Sequence, residues 1–304
     1  MKDYPMDLLE FEREFQSEQQ CREYLMQLRY PDGRYVCPKC GSIESWKITD
    51  TIFECKDCHH QSTVISGTIF QDTHKPLTLW LRAIWNITVQ KNGTSALGLQ
   101  KILGLGSYHT AWTWLHKLRR AMVRPGRDKI SGQIEVDEAY IGGPERGGKR
   151  GRGTSNKVLV VFAVEVNDNK IGRIRMQVIK DASATELHGF IESAIETGST
   201  IITDGWSSYN GIEEKGYSRK ILPQKGSEDT TLPHVHTIIS LLKRWLLGTL
   251  QGSCSAEHMA YYLDEYTFRF NRRKSKYRGM LFYRLLQNAV QLEPSTYDSI
   301  KTRK

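Results

Sequence analysis

The chain is 304 residues long, 39% hydrophobic and 25% charged, a composition that excludes a disordered chain and leaves room for two or three domains of ordinary size. No apolar run approaches the ~18 residues needed to cross a bilayer, and Met1–Glu18 is acidic with no apolar signal core, so the expected location is the cytoplasm, associated with the nucleoid. Forty-three Lys and Arg against 34 Asp and Glu leave a net charge of +9, which serves solubility or, more sharply, a polyanion partner whose counterions are released as phosphates are neutralised.

Cys21 falls in a helical pattern with Tyr24, Leu25 and Leu28 and reads as a core thiol. Cys37-Pro38-Lys39-Cys40 and Cys55-Lys56-Asp57-Cys58 then form two C-x2-C pairs. Two thiolates two residues apart sit on a tight knuckle whose amides point at the sulfurs, and two facing knuckles make a tetrahedral four-sulfur site. Cys37, Cys40, Cys55 and Cys58 are therefore expected to hold a structural Zn2+ in a ribbon, with short strands over Ser45–Ile48 and Thr51–Glu54. The set is complete and closed, so His59 and His60 are not needed as ligands and the ion has no open position for catalysis. Cys254 has no sequence partner and reads as structural.

After Lys75-Pro76-Leu77 an apolar helix is expected over Leu79–Thr88, then a short helix over Ser95–Leu103, a break at Gly104-Leu105-Gly106, and a helix over Tyr108–Val123 capped by Ser107. Helix, glycine turn and capped helix is the helix-turn-helix layout; a plain helical hairpin has the same outline. Tyr108, His109, Thr113, His116, Lys117 and Arg119 lie off the Trp112–Leu115–Leu118 stripe, which would present Lys117 and Arg119 to a DNA backbone.

Gln133–Gly143 alternates as a strand, with Ile134, Val136, Glu138 and Tyr140 on one face and Glu135, Asp137 and Ala139 on the other. The Gly-rich stretch 142–157 carries Arg146, Lys149, Arg150 and Arg152, and reads as a loop able to clamp phosphate or as a surface loop that orders only on DNA. Strands follow over Lys157–Val166 and Ile171–Ile179, then a helix over Ser183–Glu196 and a short strand, Thr200–Thr203, ending at Asp204-Gly205-Trp206. Three antiparallel strands, a helix and a fourth strand ending in Asp follow the order of an RNase H-like mixed α/β domain, in which acidic residues on the first and fourth strands share divalent cations. Mg2+ suits such a pair because it takes one or two carboxylates and keeps positions for water and phosphate.

VDEAYIGG, TDGWSSYN, HVHTIISLLKRWLLGT and YLDEYTFRFNRR, preceded by the ribbon and the helix-turn-helix candidate, resemble the DDE-type transposases of bacterial insertion sequences that carry an N-terminal zinc ribbon. The resemblance runs from about Cys37 to Arg273. It implies that Asp137 and Asp204 are metal-binding aspartates and that the partner is double-stranded DNA, both transposon terminal repeats and target. It also implies a homo-oligomer that brings two ends together. At the third position, where many relatives have Glu or Asn, this chain has His236, a softer ligand that would bind Mn2+ or Mg2+ or position a phosphate or water; His234 is the competing candidate. Lys243 lies two helical turns after His236 on the same face and would reach a phosphate, and Arg244 does likewise or lies on a solvated face. Trp206 and Tyr209 would stack on DNA bases or pack in the domain.

A closing helix over Ser255–Asn271 leads into a basic stretch in which Arg272 and Arg273 are candidate backbone contacts. The expected organisation is a helix plus ribbon over 1–75, a helix-turn-helix segment over 76–128, a catalytic domain over 129–275 and an extension over 276–304. Three activities fit: a transposase that cleaves and joins, a catalytically inactive DNA-binding regulator, and a nuclease of the same fold that does not join.

Overall fold

The computed structural model describes residues 3–124, 126–142, 157–222, 232–251 and 256–301. They form two compact units, Met1–Arg124 with Lys274–Arg303, and Pro125–Arg273. None of the described helices is long and apolar enough to cross a membrane.

In the first unit, α1 (Leu8–Glu14) starts where the Asp7 carboxylate accepts the Glu10 amide at 2.9 Å. Helix α2 (Glu18–Arg29) starts with a reciprocal cap between Ser17 and Gln20 and buries Cys21, Leu25 and Leu28. Burial pushes the Cys21 thiol up to about 12, as expected of a packed and unreactive cysteine. A three-stranded antiparallel sheet follows in the order β1 (Ser45–Lys47), β2 (Phe53–Cys55), β3 (Gln61–Ser62). The third strand is too short to announce itself by alternation.

Helix α3 (Leu77–Val89) follows Pro76, whose fixed φ suits a helix entry, and buries residues almost all round. Helix α4 (Ala96–Leu103) is capped by Ser95 and stops at Gly104, which sits at φ 62°, a left-handed conformation natural to glycine. Ser107 then caps α5 (Tyr108–Ala121).

The second unit is built on a five-stranded sheet of order β6-β5-β4-β7-β8. Strands β4 (Gln133–Gly142), β5 (Lys157–Asn167) and β6 (Lys170–Ile179) are antiparallel neighbours. Helix α6 (Ala184–Ala194) leads to β7 (Thr200–Thr203), which lies parallel to β4, and β8 (Ser218–Ile221) pairs parallel to β7. These directions and this order are those of the RNase H-like sheet. Strand β8 escaped the sequence reading because it is a polar edge strand with no apolar alternation to detect.

The two faces of the sheet bury different cores. Ile134 and Val136 of β4, with Val161 and Ala163 of β5, pack on the α6 side. Ile141 of β4 and Val160, Phe162 and Val164 of β5 pack under α7 (Pro233–Leu250) and α8 (Met259–Asn271). Burial on both faces explains why β5 reads as a continuous apolar run.

The chain then returns to the first unit. Helix α9 (Gly279–Ala289) packs against α2, α3 and α5, and α10 (Tyr297–Lys301) against α5. Phe282 of α9 meets Phe11 edge-on, with ring centroids 5.5 Å apart, in a cluster with Phe15, Tyr24 and Trp85. Gly279 is required by this packing, because a Cβ there would lie 1.6 Å from the Pro5 carbonyl oxygen.

Candidate metal centre and active-site geometry

The four ribbon sulfurs lie within 4.8 Å of one another and are the only cluster of three or more metal-competent ligands among the described residues. Cys37 and Cys58 are 3.7 Å apart, and Cys40 and Cys55 3.5 Å. A tetrahedron with Zn–S near ~2.3 Å has sulfurs about 3.8 Å apart, so the donor set and its spacing fit Zn2+. The amides of Cys58 and Asp57 hold the Cys55 thiol below its ordinary range, while at Cys58 the His60 amide is outweighed by burial and the neighbouring sulfurs, which hold that thiol above its own. Tyr30, Tyr35 and Phe53 pack around the buried Cys37 and Cys55. His59 is turned outward, its Nδ1 3.7 Å from a Glu54 carboxylate oxygen. Cys254 lies outside the described residues.

The second site is assembled from β4, the end of β7 and the start of α7. Glu135 lies beside Ile202 in the parallel β4–β7 register. Asp137 stands two residues further along β4 and Asp204 just beyond the end of β7, close enough that the Asp204 charge acts on the Asp137 carboxyl. Asp137 points to the α7 side of the sheet, where His236 Nε2 lies 3.1 Å from its Oδ2. Burial holds the Asp137 carboxyl above its ordinary range and the nearby Asp204 charge adds to this, while the Glu138 amide and His236 oppose it. Two carboxylates whose charges act on one another are the kind of pair a divalent cation relieves. His236 stands next to Asp137 as a further donor.

The Asp204 turn is braced from β8. Arg219 donates to Asn210 Oδ1 at 2.6 Å, to the Trp206 carbonyl at 3.1 Å, to Thr203 Oγ1 at 3.2 Å and to the Asp204 carbonyl at 3.5 Å. The Trp206 amide in turn donates to Asp204 Oδ1 at 3.0 Å, which fixes the carboxylate. Glu138 faces the opposite side of the sheet, as its strand position requires, and accepts a 2.7 Å bond from Tyr209 Oη. Tyr209 is buried, so of its two readings the structure takes packing; Trp206 stays 47% exposed.

Lys243 and Arg244 lie exposed on α7. Arg146, Lys149, Arg150 and Arg152 lie outside the described residues. Lys117 is half-buried and donates to the Ile69 carbonyl at 3.3 Å. Two members of the basic set are corrected. Arg119 is 2% exposed, one turn from Leu115 on the packed side of α5, with His116 beside it and equally buried, so neither presents a free face to DNA. Arg273 lies over the Phe270 ring at 3.9 Å and donates to the carbonyls of Ile171, Gly172 and Phe270, so its guanidinium ties the end of α8 to β6. Arg272 stacks on Phe268 at 4.2 Å and is half-buried.

The sequence reading missed the role of Glu135, which is buried and bonded to the start of α7. Its place on the Asp137 face was legible, but its partners lie about a hundred residues away. Arg219 carried no signal at all, because its strand was not recognised.

Residues 16–61 match the transposase zinc-ribbon domain, and residues 129–271 match the ISXO2-like transposase domain. No curated protein matches the chain. Among solved structures the chain is similar to one titled "Mos1 transposase paired-end complex with left transposon end", at 10% identity over 73% of this chain and 79% of that one. The TM-score is 0.30, and so distant a likeness carries no weight for the chemistry of this chain.

Proposed function

The chain belongs to the insertion-sequence transposases that join a zinc ribbon to an ISXO2-like domain, and on that premise we propose that it cleaves the ends of its element and joins them to target DNA. The observation that carries this reading is His236 Nε2 against Asp137 Oδ2, with the Asp204 charge near enough to act on the same carboxyl. In this reading Asp137, Asp204 and His236 hold divalent cations, Mg2+ or Mn2+. When bound, these supply positive charge at the scissile phosphate and lower the pKa of the attacking hydroxyl.

The chain's own groups position the reactants. Asp137 and Asp204 fix where the phosphodiester sits, and Lys243 neutralises a phosphate oxygen nearby. Water attacks phosphorus first and the 3′-oxygen leaves as a hydroxyl; that 3′-hydroxyl then attacks a target phosphodiester, displacing the 5′-side strand's 3′-oxygen. No covalent protein intermediate is needed. The α4–turn–α5 hairpin is assigned to DNA binding within a chain whose net charge is +9, and pairing two ends calls for a homo-oligomer.

An inactive regulator would have no need of paired carboxylates, and their adjacency favours the enzyme. Asp137→Asn and Asp204→Asn are each expected to abolish cleavage of end-bearing DNA with Mg2+ while DNA binding persists. Either variant cutting normally would remove the assignment. A strand-transfer assay with a pre-cut end separates a transposase from a nuclease that stops at cleavage.

A further inference from the structure

We propose that Glu135 is a positioning residue that acts through His234 and the first turn of α7 to set where His236 stands against Asp137. The proposal rests on the reading of Asp137, Asp204 and His236 as a divalent-cation site and deepens it.

Glu135 is 4% exposed, yet it is a carboxylate two residues before Asp137 on the same face of β4. Both of its oxygens are taken by α7. Oε2 accepts the Val235 amide at 2.8 Å, and Oε1 accepts from His234 Nδ1 at 2.6 Å. Helix α7 has no side-chain cap of its own, since Leu232 stands at the cap position and Pro233 opens the helix. Glu135 therefore does from across the domain what a capping residue does locally. It satisfies a first-turn amide and places negative charge at the positive end of the helix.

The geometry makes this a register device as well as a cap. Val235 is fully buried at the centre of the α7 contact with the sheet. Successive helical residues turn by about 100°, so His234 and His236 emerge on either side of Val235. One imidazole meets Glu135 and the other meets Asp137, two residues further along the same strand. The other ring nitrogen of His234 faces the Asn169 carbonyl at 3.3 Å, in the β5–β6 turn, which fixes the ring plane. A slip or rotation of α7 that moved His236 away from Asp137 would also break the Glu135 contacts, which lie on the same helical turn. Buried groups that orient metal ligands commonly change metal affinity 10- to 100-fold when removed, on the order of what is expected here.

The test uses the full zinc-loaded chain and Mn2+ as probe, with free Mn2+ read by its paramagnetic resonance signal and folding read by thermal melting. Glu135→Gln is expected to weaken Mn2+ binding about tenfold or more and to lower cleavage kcat, with affinity for end DNA unchanged. His234→Gln breaks the same contact from the other partner and decides the matter if Glu135→Gln does not fold. A lowered melting temperature with wild-type Mn2+ affinity in the folded variants would overturn the proposal and leave Glu135 a structural cap only. Asp204→Asn is the control: if it loses Mn2+ while Glu135→Gln keeps it, only the positioning role falls. If Asp204→Asn binds Mn2+ as the wild type does, the cation site falls and the positioning role with it.

Discussion

Replacing Arg219 by Ala tests whether the turn that carries Asp204 is held from outside the proposed cation site. Four acceptors lose a donor: Asn210 Oδ1, the Trp206 and Asp204 carbonyls, and Thr203 Oγ1. Hydrogen bonds from a charged donor contribute about 1.5–3 kcal/mol each where the acceptor is left dry. Here the guanidinium is half-exposed and Asn210 is at the surface, so water replaces most of what is lost. The buried Thr203 hydroxyl keeps its own bond to the Asp204 carbonyl. The expected net loss is therefore about 2 kcal/mol, the lower end of one well-made charged bond. For a unit of this size that is about 4–8 °C in melting temperature. Catalysis should fall further than stability. The turn carries Asp204, and a displacement approaching 1 Å at a reacting centre costs on the order of a hundredfold in rate. Lys keeps the charge but cannot fork between four acceptors, so Arg219→Lys should recover part of the melting temperature and little of the activity. The assays are thermal melting and cleavage of end-bearing DNA under single-turnover conditions. Full activity in Arg219→Ala, or full rescue by Lys, would refute the brace.

Two other outcomes are expected from separate parts of the chain. Cys40→Ser should release the ribbon zinc and unfold residues around β1–β3, measured as zinc content per chain and as weakened end binding; unchanged zinc content would contradict a four-sulfur site. Burial raises the Glu165 carboxyl, but the Arg173 hydrogen bonds and charge together with backbone donors outweigh it, so its net position is below the ordinary 4.5. A depressed carboxyl stabilises the fold above about pH 4.5 and loses that contribution as pH falls through its folded value, so Glu165→Gln should lower stability at neutral pH and flatten the acid limb of a stability–pH curve. Parallel wild-type and Gln curves would show that the pair contributes nothing.

What could be read from the sequence was local. The spacing of Cys37, Cys40, Cys55 and Cys58 fixes a metal knuckle without reference to the rest of the chain. Alternation in β4 correctly turned Asp137 and Glu138 to opposite faces, because a strand's period is two whatever it packs against. The reading failed where position depends on distant chain. Arg119 and His116 looked like a surface because the neighbour of α5 that helps to form this core, α9, lies some 160 residues later and was not recognised. Strand β8 is polar because it is an edge, so the brace at Arg219 was hidden with it. The Glu135–His234 contact joins residues 99 apart and has no local pattern.

The central claim, that Asp137 and Asp204 together hold a cation used in cleavage, is tested most directly by exchanging an oxygen ligand for sulfur. Asp137→Cys should bind end DNA and be inactive with Mg2+, which favours oxygen ligands, and should regain cleavage with the softer Mn2+. A folded, DNA-binding Asp137→Cys that cuts equally well in both metals, or in neither, would contradict the account.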